Sequence, residues 1–258
     1  MTGIRDNSPL GSIVYATRVL RRNMKVFYKL YLSNLVINFI EPSIYLFAFG
    51  IGLGSFVQDI NGMTYIRFIA PGMVAQSGLF AAAFECLYGT FVRMNFQKTF
   101  DAILATPVNK EGVILGEILY GASKAAVFST IIMIVVYAAR LIPTPWLPLA
   151  LPFLFIGGMI FASMSMIVTS LVKGIESFNY YVTLVITPLM FLSGIFFPLT
   201  GVLERVGFFS PLYHSARICQ LLAQGKVGEI WEHSLMLVLM LAGALTAAII
   251  LMKRRLSK

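Results

Sequence analysis

Residues 147–172 read LPLALPFLFIGGMIFASMSMIVTSLV, a continuous apolar run without a single charged side chain. A helix needs about 20 apolar residues to cross a hydrocarbon core of about 30 Å. Inside that core every backbone polar group must be satisfied within the protein, which a helix achieves and an open sheet edge does not. The run therefore predicts a transmembrane α-helix.

Five further stretches have the same character, and two of them are also free of charged residues. The chain has 258 residues, of which 58% are hydrophobic and only 12% are charged, whereas a soluble domain carries about 25% charged residues. Little of the chain is left to form a separate soluble domain. We therefore expect one all-α membrane domain over residues 1–258 with six transmembrane helices. The other five stretches are residues 30–57, 68–92, 112–139, 177–202 and 234–252.

Several functional classes find no support in the sequence. It contains no GxxxxGK[ST] loop, so the chain is not expected to hydrolyse ATP, and no catalytic or metal-binding pattern stands out. The net charge of +9 collects at the helix ends, where it sets membrane topology, and does not indicate nucleic-acid binding. We expect Cys86 and Cys219 to be free thiols and His214 and His233 to be surface residues. No cofactor is expected in this chain.

Charge also predicts orientation. Most of the 20 Lys and Arg residues fall on one side when the N-terminus is placed in the cytoplasm, so both termini are expected there. Before the first stretch, residues 13–29 form a two-faced helical pattern, with Ile13, Leu20, Met24 and Phe27 on one face and basic residues on the other. We expect this helix to lie in the cytoplasmic membrane interface. Alternatively, its charges only enforce the topology.

The loop from Arg93 to Glu111 reads RMNFQKTFDAILATPVNKE. Apolar residues recur in it at helical spacing, and Thr106-Pro107 ends the run, which predicts a short amphipathic helix on the cytoplasmic side. We interpret this helix as a docking element for a cytosolic motor, with a simple re-entry turn as the alternative. Its apolar positions are Phe96, Phe100, Ile103 and Leu104.

The fifth stretch contains Pro188, which lacks a backbone donor and bends a helix. The residues that follow are half apolar, and they are too few and too polar to span the membrane twice. We expect two short helices within residues 198–230 that dip into the outer leaflet and return. Such a re-entrant hairpin is tolerated where it packs on protein or lines a cavity.

Ionisable residues inside the apolar stretches need partners, because an intramembrane charge costs roughly 2.5–3.5 kcal/mol. Glu85 and Glu117 lie at comparable predicted depth, so Lys124 can pair with either. These charges either lock helices together or line a polar substrate path, and a proton relay is a third alternative.

The first stretch carries a polar stripe. Asn34, Asn38 and Glu41 follow each other at helical spacing and share one face. A polar face on a spanning helix should meet protein or water rather than lipid. We expect this stripe either to contact cargo in a cavity between two copies of the chain or to pack within its own copy.

Five strings in a fixed order carry a family resemblance. The chain resembles the membrane permeases of type 2 ABC exporters, and within them the NodJ-like subgroup, over nearly its whole length. The strings are FIAPGMVAQSGLFAAAFE (Phe68–Glu85), FQKTFDAILATPV (Phe96–Val108), LGE (Leu115–Glu117), TPLMFLSGIFFPL (Thr187–Leu199) and SPLYHSAR (Ser210–Arg217).

The resemblance implies a permease that pairs with a second copy of itself and with two copies of an ABC ATPase, which bind the ATP and Mg. It implies an N-terminal interfacial helix at residues 11–28 and a cytoplasmic coupling helix at 94–106. The glutamates of the family's second and third spans match Glu85 and Glu117. The ATPase-coupling residues would be Phe96, Lys98, Phe100, Asp101 and Leu104.

The expected function is therefore the export of an amphipathic lipid, glycolipid or similar cargo across a bacterial inner membrane, in contact with membrane lipids. Two alternatives stay open. An ion-coupled secondary carrier usually shows internal repeats with broken helices in both halves, and here only the fifth stretch is clearly broken. A lipid-modifying membrane enzyme would need a catalytic constellation that the sequence does not display.

Overall fold

The computed structural model describes residues 8–29, 31–57, 59–60 and 62–257, and for residues 9 and 31–38 it describes the backbone alone. The described residues form eleven α-helices joined by short 3-10 and π-helical segments. The helices are α1 Pro9–Lys29, α2 Tyr31–Phe47, α3 Tyr65–Phe84, α4 Thr99–Leu104, α5 Lys110–Ala138, α6 Leu151–Leu171, α7 Phe178–Tyr181, α8 Thr187–Phe191, α9 Val202–Gly207, α10 Pro211–Ala223 and α11 Trp231–Arg255.

Four helical segments in the described part of the chain are long and apolar enough to cross a membrane. The first and fifth predicted stretches are not among them, because their described apolar helices are shorter. The four segments are Tyr65–Phe96, Lys110–Ala138, Leu147–Leu171 and Val227–Arg255, and Phe39–Ser55 is a shorter apolar helix. The all-helical class is confirmed for the described residues, while the count of six spans stays a prediction.

The fifth stretch is interrupted around its proline. A π-helical turn, Val182–Ile186, separates α7 from α8, and Pro188 is the second residue of α8. The wider turn accommodates a residue that cannot donate a backbone hydrogen bond. The helix then ends at Phe191, well before the predicted end at residue 202.

The helix α3 is the centre of the molecule. Most of its side chains are buried on all sides, and it packs against α5, α6 and α10. A helix that is apolar all round belongs in such an interior position. By contrast, α11 packs on α6 and leaves an apolar face exposed, as a lipid-facing helix requires. Its exposed apolar residues include Leu235, Val238, Leu239 and Ile250.

The N-terminal helix α1 packs along α5, and two glycines make this close approach possible. A Cβ at Gly112 would lie 2.5 Å from the Cβ of Tyr15, and one at Gly116 would lie 2.6 Å from the Cβ of Val19. Small residues at helix crossings allow backbones to come together in this way.

The buried face of α1 differs from the face predicted by its apolar residues. Phe27 is buried as expected, but Ile13 is 56% exposed. The helix instead turns Ser12 and Asn23 inward, where both make hydrogen bonds to carboxylates of α5. Hydrophobic periodicity missed this rotation because it counts only apolar side chains.

Candidate functional site

A cluster of four charged side chains lies at one end of the spanning helices. The segment that begins with α3 continues through two π-helical turns, Glu85–Gly89 and Val92–Phe96. These turns place Glu85 and Arg93 on one side of the segment, facing α5. A Cβ at Gly89 would lie 2.3 Å from Oε1 of Glu85, so the absence of a side chain there leaves room for the carboxylate.

Arg93 holds the two glutamates together. Its Nη1 donates to Oε1 of Glu85 at 2.7 Å, and its Nη2 donates to Oε2 of Glu117 at 2.5 Å. Its Nε also donates to Oε2 of Glu117, at 3.1 Å. A planar guanidinium is well suited to such forked contacts with carboxylates.

Lys124 pairs with Glu85, which resolves the pairing that the sequence left open. The distance from its Nζ to Oε2 of Glu85 is 2.7 Å. Its ammonium group also lies 5.8 Å from the ring centroids of Phe27 and Phe128, within the range of cation–π attraction. One aromatic ring from α1 and one from α5 therefore help to stabilise the ammonium charge.

Glu117 is fully buried, and polar groups from two other helical segments satisfy it. Asn23 of α1 donates to its Oε1 at 2.8 Å, and Thr90 donates to its Oε2 at 3.0 Å. The four charged groups therefore form a neutral, hydrogen-bonded set of two cations and two anions. This arrangement joins α1, the Tyr65–Phe96 segment and α5, and breaking it would leave a buried charge unpaired.

The sequence reasoning named three of these four residues and missed Arg93 and the neutral partner Asn23. The sequence places Arg93 in the loop after the second apolar stretch. In the structure the helical segment extends to Phe96 and brings Arg93 beside the carboxylates. A usable signal was its spacing of eight residues from Glu85, which puts both near one helical face. For Asn23 the signal was its helical spacing from Ala16, Val19 and Phe27, which puts it on the same face of α1 as these apolar residues.

Glu41 lies apart from this cluster. Its side chain is exposed and lines a cavity of about 30 Å³ next to Gln76 of α3. Gln76 is 3% exposed, and its Oε1 has no hydrogen-bond partner among the described groups. The side chains of Asn34 and Asn38 lie outside the described residues, so the predicted polar stripe is represented here by Glu41 alone.

The loop after the Tyr65–Phe96 segment contains a helix that is shorter than predicted. The predicted range 94–106 corresponds to α4, Thr99–Leu104, because Lys98 adopts a left-handed conformation with φ of 53° and separates α4 from the preceding π-helical turn. A left-handed residue cannot continue a right-handed helix. Residues 94–96 thus belong to the end of the long segment.

The five predicted coupling residues do not share one surface. Phe100 is fully buried and anchors α4 to the core, so it is not available for contact with a partner, and Leu104 is partly buried. In contrast, Phe96 is 68% exposed, and the side chains of Lys98 and Asp101 are exposed beside it.

The C-terminal end of α11 fastens the helices on this same side. Arg255 Nη1 donates to the carbonyl oxygens of Thr169 at 2.8 Å and Ser170 at 3.2 Å, and it also donates to that of Val172. These are the unpaired carbonyls at the end of α6. Lys253 pairs with Glu111 at the start of α5, with 2.6 Å between Nζ and Oε1.

At the opposite end, α9 and α10 are two short helices, as expected, within the predicted outer region 198–230. The helix α10 is almost entirely buried, whereas α9 and the turn after it expose apolar side chains, with Phe209 79% exposed. The structure does not establish membrane re-entry, which stays a prediction.

The two histidines at this end are not the isolated surface residues that the sequence suggested. His214 is fully buried, and its Nδ1 lies 2.9 Å from Nδ1 of His233. Its Nε2 lies 2.7 Å from the carbonyl oxygen of Phe208. When both rings are neutral, Nε2–H of His214 donates to the carbonyl, and Nδ1 of His214 accepts a hydrogen bond from Nδ1–H of His233. The pair joins the turn after α9, α10 and α11.

Comparison with known proteins places these features in a family. The family model described as ABC-2 type transporter matches residues 16–220. The chain is 43% identical to nodulation protein J of Rhizobium meliloti (strain 1021) over 213 residues, which are 81% of this chain and 80% of that protein. It is 38% identical to nodulation protein J of Rhizobium leguminosarum bv. viciae over 246 residues, 93% of this chain and 94% of that protein.

A more distant relative has a transport name. Inner membrane transport permease YadH of Escherichia coli (strain K12) is 27% identical over 179 residues, which are 67% of this chain and 68% of that protein. No solved structure matches the chain.

Proposed function

Since the chain belongs to the ABC-2 type transporter family, as its motifs predicted, we propose that this membrane permease exports an amphipathic cargo. The family implies an ABC ATPase partner. We propose further that the assembly holds two copies of each subunit, that the ATPase binds the ATP and Mg, and that both permease termini lie in the cytoplasm of a bacterial cell.

One structural observation carries this proposal: α4 is anchored in the core and presents an exposed surface beside the buried charges. Phe100 anchors α4 through its buried side chain, while the exposed side chains of Phe96 and Asp101 are available to a partner. The π-helical turn that holds Arg93 ends only three residues before α4 begins. A partner that moves α4 would therefore displace Arg93 and, through its ion pairs, α5.

The proposed cargo path lies along α2 and α3. Glu41, Gln76 and Ser77 are the polar groups of a small cavity. The aromatic side chains of Tyr45, Phe80 and Phe84 also line it. An amphipathic lipid or glycolipid suits such walls, because its tails match the apolar surface and its head needs only a few polar contacts. A paired copy of the chain would enclose this face.

The test is reconstitution with an ABC ATPase. The two subunits should copurify, and ATP should drive outward movement of a fluorescent lipid or glycolipid in vesicles. Asp101→Lys should abolish copurification or reduce ATP-driven movement several-fold, whereas Glu229→Lys, an exposed charge reversal at the opposite end, should leave both unchanged. Transport that proceeds without any ATP-binding subunit would refute the proposal and favour an ion-coupled carrier.

A further inference from the structure

A cavity of about 430 Å³ opens between α1 and the end of the Tyr65–Phe96 segment. Glu85 and Arg93 of the charge cluster form one wall of this cavity. Glu85 uses Oε1 for Arg93 and Oε2 for Lys124, and Arg93 directs its donors to Glu85, Glu117 and Thr90. The cluster forms a neutral wall.

The lip of the cavity adds a net positive charge. Arg22 of α1 lines the cavity, is exposed, and makes a hydrogen bond from Nη1 to Oδ1 of its neighbour Asn23 at 3.0 Å. This bond orients the guanidinium, and its other N–H groups make no hydrogen bond or ion pair to the described residues. The neighbouring Arg18, Arg21 and Lys25 are also exposed on α1 and add to the positive potential.

The buried side chains that line the cavity are aromatic. Phe27 and Tyr120 are buried, Tyr88 and Val92 are half-buried, and Val26 is exposed one helical turn after Arg22 at the lip. A cavity with cationic donors at its lip and apolar walls deeper inside matches a molecule whose anionic head continues into hydrocarbon. Its position between an amphipathic helix and a spanning segment is the level at which lipid head groups lie.

We propose that this cavity binds the phosphate-bearing head group of an anionic lipid from the leaflet on the side of both termini. Arg22 contacts the phosphate, the hydroxyl groups of Tyr88 and Tyr120 supply further donors, and Phe27 meets the start of the acyl chains. The site is separate from the proposed cargo path at Glu41, and its occupancy by lipid does not require an ATPase.

The test measures lipid binding to the purified permease alone. Native mass spectrometry would compare retention of phosphatidylglycerol and phosphatidylcholine after detergent exchange. Phosphatidylglycerol should be retained preferentially, and Arg22→Gln should weaken its retention about tenfold, as expected for one lost charged hydrogen bond. The matched control is Arg21→Gln, on the same helix but outside the cavity. Val26→Trp, which fills the lip, should also reduce retention.

Three results would overturn the proposal. Equal retention of the two lipids would remove the phosphate specificity, and an equal loss in Arg21→Gln would reduce the effect to general surface charge. Displacement of the lipid by millimolar inorganic phosphate would show an anion site without a lipid-specific part. Thermal unfolding of each variant, measured in parallel, shows whether a loss of binding reflects a loss of fold.

Discussion

Arg93 and Glu117 meet across two neighbouring helical segments, with 2.5 Å between Nη2 and Oε2. The glutamate has no exposed surface, and the arginine side chain is 15% exposed. Such a pair contributes little net stability relative to apolar residues, but removal of one partner leaves the other charge buried and unpaired. The cluster therefore behaves as a unit.

Glu117→Gln should lower the free energy of unfolding by about 3–5 kcal/mol, because the cluster then carries an excess positive charge. Glu111→Gln is the control on the same helix. Its partner Lys253 is 44% exposed, so that loss should be about 0–1 kcal/mol. A thiol-reactive dye can report unfolding, since Cys86 and Cys219 are both free and buried. Equal unfolding temperatures for the two variants would contradict the coupled-cluster interpretation.

The residues in and beside α4 should separate into anchors in the core and contacts with the proposed partner. Phe100→Ala should destabilise the permease by about 3–5 kcal/mol, because it empties a fully buried aromatic site. Phe96→Ala should leave the unfolding temperature nearly unchanged and weaken binding of the ATPase, since its side chain is exposed. Binding is measured by copurification and stability by the thiol assay. The assignment fails if Phe96→Ala binds the ATPase as well as the unchanged chain does.

The contact between α1 and α5 depends on the absence of side chains. Gly116→Ala would place a Cβ 2.6 Å from the Cβ of Val19 and 2.9 Å from the backbone oxygen of Ala16, so α1 must shift, at a cost of about 1–3 kcal/mol. Trypsin should then cleave faster at the exposed arginines of α1. Gly243→Ala is the matched control, because no atom lies within 4 Å of the added methyl group. Cleavage at the same rate in both variants would argue against a close α1–α5 contact.

The sequence predicts the membrane class and the family because long apolar stretches and ordered motifs are local signals. It also identifies Glu85, Glu117 and Lys124 as buried charges, since a charge within an apolar run is easily recognised. It does not predict which of them pair, because pairing depends on helix rotation and on the π-helical turns that bring Arg93 inward. Similarly, Phe100 and Phe96 look equivalent in an apolar pattern until tertiary packing buries only one of them.

The outer region can be tested by labelling at positions that protein does not cover. Leu212 is fully buried in protein, so a cysteine there would label poorly whether or not the region enters the membrane. Val202 and Phe209 are 74% and 79% exposed, and cysteines at these positions should resist a membrane-impermeant maleimide only if lipid covers them. A cysteine at the exposed Lys226 is the positive control. Strong labelling at all three exposed positions would indicate an ordinary solvated loop.

The histidine pair should make its end of the protein sensitive to acid. Burial lowers the pKa of His214 from its ordinary value of 6.5, so the folded state favours the neutral ring. Below that pH the unfolded chain binds more protons than the folded one, and stability falls as the pH decreases. Protonation would also set two like charges 2.9 Å apart, close to the positive charge of Arg217. The ring centroid of Tyr213 also lies 5.8 Å from that of His233, and Glu204 lies near Tyr213.

Cys219 lies on the same helix as His214, so its labelling rate reports on this end of the protein. After division by the rate of a free model thiol at the same pH, the dye should label Cys219 faster at pH 5 than at pH 7. A Cys86→Ala background isolates this thiol. His233→Gln keeps a neutral amide donor for Nδ1 of His214 and removes the second titrating ring, so it should reduce the acid effect. If the labelling rate of Cys219 depends on pH equally in His233→Gln and in the protein with both histidines, the histidine contact is not the acid-sensitive element.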